Sequence, residues 1–115
     1  MSGGFVESGY IRVANTSEIT MGTMKKVTID DNEILIVNVN GTYYAIGNLC
    51  THYGGDLSQG VLEGKIITCP NHNSKFDVTT GKVVSPPTEA LSRPDIEDEP
   101  KYAVKVEKQD ILIKL

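Results

Sequence analysis

Apolar and polar positions alternate in short runs along most of this chain. Tyr10-Ile11-Arg12-Val13 and Lys26-Val27-Thr28-Ile29 repeat with a period of two, the pattern of strands buried on one face. The stretch from Glu33 to Asn40 is rich in β-branched residues and holds the longest wholly aliphatic run, Ile34-Leu35-Ile36-Val37. Asn40-Gly41 then gives a strong hairpin signal before Thr42-Tyr43-Tyr44-Ala45-Ile46, and Asp30-Asp31-Asn32 marks the turn between the second and third strands. Further on, Gly64 to Thr68 reads as a strand entering Cys69. Phe76-Asp77-Val78 and Lys82-Val83-Val84 flank a hairpin tip at Thr79-Thr80-Gly81. Tyr102 to Val106 and Ile111 to Ile113 close the chain around a turn at Glu107 to Asp110. About nine or ten short strands at regular spacing predict an all-β antiparallel sandwich or barrel. Helix is reduced to one 3₁₀ turn within Asn15–Ile19, with Thr16 or Ser17 as its expected cap.

A length of 115 residues fits a single domain, 1–115, and 39% hydrophobic with 23% charged residues suits a globular fold rather than disorder. The four-residue aliphatic run is far short of the roughly 20 residues a membrane helix needs. Met1-Ser2-Gly3-Gly4-Phe5 lacks the basic and apolar regions of an export signal, so a soluble, cytoplasmic protein is expected. Eleven Lys and Arg against 15 Asp and Glu leave a net charge of -4, which argues against nucleic-acid binding through basic patches. The acidic run Asp95-Ile96-Glu97-Asp98-Glu99 reads as a solvated loop, with electrostatic steering of a partner as the alternative.

Both cysteines and both histidines of the chain fall in two stretches that do not read as strand. One is Cys50-Thr51-His52-Tyr53-Gly54-Gly55-Asp56-Leu57, the other Cys69-Pro70-Asn71-His72-Asn73-Ser74-Lys75. A disulfide between the cysteines is disfavoured in a chain expected to meet reducing conditions. Four residues arranged as Cys-x-His and Cys-x-x-His point instead to a metal site. Tetrahedral zinc is one candidate, as a structural module for interactions, but zinc fingers usually pair Cys with Cys and His with His. One of each per loop suits better a binuclear iron–sulfur centre, with thiolates on one iron and imidazoles on the other.

Cys50-Thr51-His52-x-Gly54-x-x-Leu57 followed by Cys69-Pro70-x-His72-x-Ser74-x-Phe76-Asp77 resembles the Rieske [2Fe–2S] ferredoxins of the soluble, oxygenase-associated type. The likeness runs over nearly the whole chain, through the spacer Gly60-Val61-Leu62-Glu63-Gly64 to the Pro86-Pro87 segment. It implies an antiparallel β sandwich carrying a small cluster-binding subdomain, about residues 48–88, made by two loops. It further implies one [2Fe–2S] cluster with Cys50 and Cys69 on the inner iron and His52 and His72 on the outer iron through Nδ1. Ser74 would donate to a sulfide, Phe76 would lie beside the site, and Pro86 with Pro87 would cover its third side.

The sequence departs from the pattern in three places. Asn73 stands where Gly usually follows the second ligating His, and Asn is the residue that next best tolerates a left-handed backbone. The two extra cysteines and the membrane anchor of respiratory Rieske proteins are missing. Phe76 stands where those proteins tend to carry Tyr, so one hydrogen bond to a thiolate is lost. The expected potential therefore lies in the lower part of a range of roughly -150 to +300 mV.

With both His assigned, no second iron site, Ser-His-Asp set or phosphate-binding Gly loop is left, which implies a carrier rather than an enzyme. The resemblance implies single-electron transfer from a reductase to an acceptor such as an oxygenase. A zinc-binding interaction module and a Rieske-fold small subunit of a larger reductase remain the other readings. Gly54, Gly55 and Asp56 are expected to build a turn, while Tyr53 and Asn71 flank the ligands as loop residues or a docking surface.

Overall fold

The computed structural model describes residues 9–51, 55–71, 73–85 and 97–115. Among the described residues there are ten strands: β1 (Tyr10–Asn15), β2 (Met24–Ile29), β3 (Asn32–Val39), β4 (Thr42–Gly47), β5 (Val61–Glu63), β6 (Ile66–Thr68), β7 (Lys75–Asp77), β8 (Val83–Ser85), β9 (Lys101–Glu107) and β10 (Asp110–Lys114). They form a six-stranded sheet in the order β1-β10-β9-β4-β3-β2 and a four-stranded sheet in the order β5-β6-β7-β8. Every pairing is antiparallel. The all-β class read from the periodicity is the class observed.

The aliphatic run in β3 has a structural cause. Ile34 and Ile36 face one core with Ala14, Ile19, Ala45, Ile111 and Ile113, whereas Leu35 and Val37 face the other with Ile46, Leu57, Ile67, Phe76 and Val78. A strand buried on both faces has no polar side to show, so it reads as a continuous run rather than an alternation. β3 is thereby the seam between the main core and the core under the small sheet. Both cysteines lie in that second core.

Asn40 and Gly41 take φ values of 54° and 92° between the paired Val39 and Thr42, the tight left-handed turn that Asn-Gly favours. Two expectations are corrected. The first 3₁₀ turn (Thr16–Glu18) is capped by Asn15, not by Thr16 or Ser17. Asn15 Oδ1 accepts from the Ser17 backbone and the Glu18 carboxylate accepts from Asn15 N, so the chain leaves β1 directly into a capping box. The spacer at Val61 to Glu63 is a strand, β5, pairing with β6 across a turn in which Gly64 has φ 62°. Gly64 and Lys65 therefore belong to that turn and not to β6. A three-residue strand with Val61 and Glu63 exposed leaves too short a pattern to register.

Candidate metal centre

Two loops are built alike. Cys50 follows β4 by three residues, and its N–H donates to the Gly55 carbonyl at 2.7 Å. Cys69 follows β6, and its N–H donates to the Ser74 carbonyl at 2.8 Å. Each cysteine thus closes a loop onto the residue five places on. The first loop is braced by the Leu49–Asp56 bridge and by Leu57 N donating to Asn48 O at 2.9 Å. The second sits on the β6–β7 pairing of Thr68 with Lys75, with Asn73 N donating to Cys69 O at 3.2 Å.

Cys50 and Cys69 are 3% and 1% exposed and no disulfide joins them. The loops meet at Gly55, where a Cβ would stand 2.8 Å from Cys69 Sγ and 2.8 Å from Asn71 Nδ2. Only a residue without a side chain lets the first loop lie against the second thiol. Asn73 has φ 63°, so it does occupy the left-handed position for which Gly is the usual choice.

His52 and His72 lie outside the described residues, as do Tyr53, Gly54, Pro86, Pro87, Asp95 and Ile96. Of the predicted site residues, the structure therefore describes Cys50, Cys69, Ser74 and Phe76. It brings Phe76 into one core with both cysteines, fully buried, and pairs it with Ile67 across β6 and β7. Asn71 is exposed at the tip of the second loop.

Ser74 is fully buried, and its hydroxyl meets no hydrogen-bond partner among the described residues. Burying an unsatisfied hydroxyl costs about 1–3 kcal/mol, which favours a partner at this position. Two buried thiols heading matched loops, a glycine where the loops touch and a buried donor unpaired among the described residues together fit a sulfur-rich metal group. A sulfide or a metal-bound thiolate would accept from Ser74.

Asp56 does more than build a turn. Its Oδ1 accepts from Asn48 Nδ2 at 2.8 Å, from Ser58 N at 3.0 Å and from the Ser58 hydroxyl, while Oδ2 meets Lys26 Nζ at 3.2 Å. The Ser58 hydroxyl and the Asn48 amide, outweighing partial burial, hold this carboxyl at about 2. The charged carboxylate caps the second 3₁₀ turn (Leu57–Gln59) and ties the first loop to β2. Asp77, in the Phe-Asp pair of the second motif, accepts from Thr79 N at 2.8 Å and from the Thr79 hydroxyl at 2.6 Å. It fixes the connection from β7 to β8.

Glu99, expected in a solvated acidic loop, is instead buried at 4% exposure, while Glu97 and Asp98 are exposed. Its Oε2 accepts from the backbone N–H of Thr51, the residue between Cys50 and His52, at 3.0 Å. Burial, only partly offset by that bond, pushes its carboxyl up to about 8. No pattern in an Asp-Glu run marks which member is covered. The cover comes from Gly47 and Gly81, far away in sequence, where a Cβ would stand 2.7 Å from Glu99 Oε1 and 2.4 Å from Glu99 O respectively.

Residues 9–111 match the Rieske [2Fe–2S] domain family. The ferredoxin component of the naphthalene 1,2-dioxygenase system of Pseudomonas putida is 38% identical over 106 residues, 92% of this chain and 95% of that protein. Among solved structures, the ferredoxin of carbazole 1,9a-dioxygenase from Nocardioides aromaticivorans IC177 superposes with a TM-score of 0.77 at 30% identity, covering 91% of this chain and 96% of that one. A chain in the complex of reduced oxygenase and oxidized ferredoxin in carbazole 1,9a-dioxygenase does so with a TM-score of 0.77 at 25% identity, covering 92% and 93%.

Proposed function

The chain belongs to the Rieske [2Fe–2S] family, and from that premise we propose that Cys50, His52, Cys69 and His72 hold its one cluster. The thiolates take the inner iron and the imidazoles the outer one. The whole chain is read as a single domain, with the cluster-binding part at about residues 48–88. The protein is a one-electron carrier, a ferredoxin that accepts electrons from a reductase and passes them to an oxygenase. Its workplace is the cytoplasm, where thiols stay reduced.

The observation that carries the ligand assignment is the pair of buried cysteines, each heading a loop closed onto its fifth following residue, with Ser74, which closes the second loop, holding a hydroxyl unpaired among the described residues. When bound, the cluster supplies a single-electron couple. The residues of the chain do the rest. Cys50 and Cys69 keep the sulfur ligands out of water, and Ser74 supplies a donor that strengthens as negative charge accumulates on sulfur. His52 and His72, as ligands of the outer iron, give the electron its way out. The Pro86-Pro87 segment is assigned to cover the remaining side.

Iron and acid-labile sulfide analysis tests this reading. Two of each per chain are expected in the wild type, with loss of the pair in Cys50→Ser and Cys69→Ser. Stoichiometric zinc without sulfide would overturn it.

A further inference from the structure

Segment 97–100 lies across three parts of the fold. Glu99 N donates to Gly81 O at 2.7 Å, reaching the β7–β8 connection of the small sheet. Val83 N donates to Asp98 Oδ1 at 2.9 Å on the same side. Gly47 N donates to Pro100 O at 2.9 Å, reaching the end of β4 in the large sheet. From this strap two residues grip Thr51. Thr51 Oγ1 donates to Glu97 O at 2.6 Å and accepts from Glu97 N at 3.1 Å, and Thr51 N donates to Glu99 Oε2 at 3.0 Å. These three polar contacts of Thr51 all go to one segment, 46 and 48 residues away in sequence.

We propose that Glu99 is a positioning residue of the metal centre, fixing the first ligand loop through the backbone of Thr51. The proposal rests on the assignment of Cys50 and His52 as ligands. Thr51 is the one residue between them, so fixing its backbone fixes the spacing at which a thiolate and an imidazole are offered. A water-exposed acid would do this poorly, because water competes for the same N–H and the side chain samples many rotamers. Glu99 is held without that competition, in a slot that exists because Gly47 and Gly81 carry no side chains. Among the described residues its carboxyl accepts from Thr51 N, so the acceptor is committed to the loop.

Three variants of the holoprotein decide the matter, read by the rate of cluster loss to excess chelator and by the EPR line shape of the reduced sample. Glu99→Met keeps the volume and removes the acceptor. It is expected to lose the cluster about tenfold faster than wild type and to broaden or shift the EPR features, because a lost buried hydrogen bond is of that size. Glu99→Gln retains an acceptor oxygen and is expected to stay within about threefold of wild type with an unchanged line shape. Thr51→Val, which breaks the link to Glu97 instead, is expected to move in the same direction as Glu99→Met.

Glu99→Met indistinguishable from wild type would overturn the proposal. So would equal damage from Gln and Met, or cluster loss that merely tracks global unfolding followed by circular dichroism. If Glu99→Met does not fold, Glu99→Asp decides instead, since it keeps the acid but shortens its reach to Thr51 N: faster cluster loss supports the proposal, and a wild-type rate overturns it. A wild-type protein without iron and sulfide would instead overturn the ligand reading itself, so the two failures are told apart.

Discussion

Single atoms at three positions set the chemistry expected of this site. Ser74 Oγ, buried without a partner among the described residues, should donate to sulfur and stabilise the reduced state, so Ser74→Ala should lower the midpoint potential. Phe76→Tyr should raise it, since a phenol at this buried position would add a second donor beside the thiolates. Shifts on the order of 60 mV are expected in each direction, the equivalent of a tenfold change in a one-electron equilibrium. Redox titration against a mediator set measures both. No shift in Phe76→Tyr would mean that the ring edge faces away from sulfur.

Glu99 adds a pH dependence at the same scale. Its carboxyl is raised from 4.5 to about 8 in the fold, so the folded state binds the proton more tightly than the unfolded chain does. Stability from this group is complete below about 4.5 and is lost as pH rises towards about 8. Glu99→Gln, which cannot ionise, should therefore gain on wild type as pH rises through that window and hold a constant lead above it. Urea unfolding at pH 5, 7 and 9 checks the sign; a lead that shrinks with pH would contradict it.

At the level of elements, the two loops depend on how closely they approach each other. Gly55→Ala would place a methyl 2.8 Å from Cys69 Sγ, inside contact distance, and the obstacle is a buried thiol rather than a mobile tip. Overpacking of this kind costs about 1–3 kcal/mol, so the variant should unfold at lower temperature and retain less iron as isolated. Asn73→Gly should be tolerated, while a β-branched residue there should be strained, because φ is 63°.

The legibility of these elements in the sequence follows from range. β3, β4 and their Asn-Gly turn were readable because local chemistry dictates them: β-branched residues, two-sided burial and a left-handed turn. The two loops stood out because all four Cys and His residues of the chain fall there. β5 was not readable, since Val61 and Glu63 at its two ends are exposed and mark no buried face. The role of Asp56 was not, since its partners Asn48, Ser58 and Lys26 come from separate stretches of the chain. Glu99 was least visible of all, because the backbone it packs against, at Gly47 and Gly81, is remote in sequence.

Over the whole molecule, one strand joins scaffold to site. β3 contributes Ile34 and Ile36 to the main core and Leu35 and Val37 to the core that contains both cysteines, so the loops stand on a floor continuous with the larger sheet. The strap at 97–100 closes the arrangement from the other side. A rigid frame of this kind suits a carrier, since little structural rearrangement then accompanies the arrival or departure of an electron. Among the described residues no helix is long and apolar enough to cross a membrane.

Pulsed EPR of the dithionite-reduced holoprotein reads directly whether one cluster carries both thiolate and imidazole ligands. The predicted result is two strongly coupled nitrogen nuclei, one lost in His52→Cys and the other in His72→Cys. A reduced cluster without strongly coupled nitrogen, or a colourless protein with no EPR signal, would contradict the assignment.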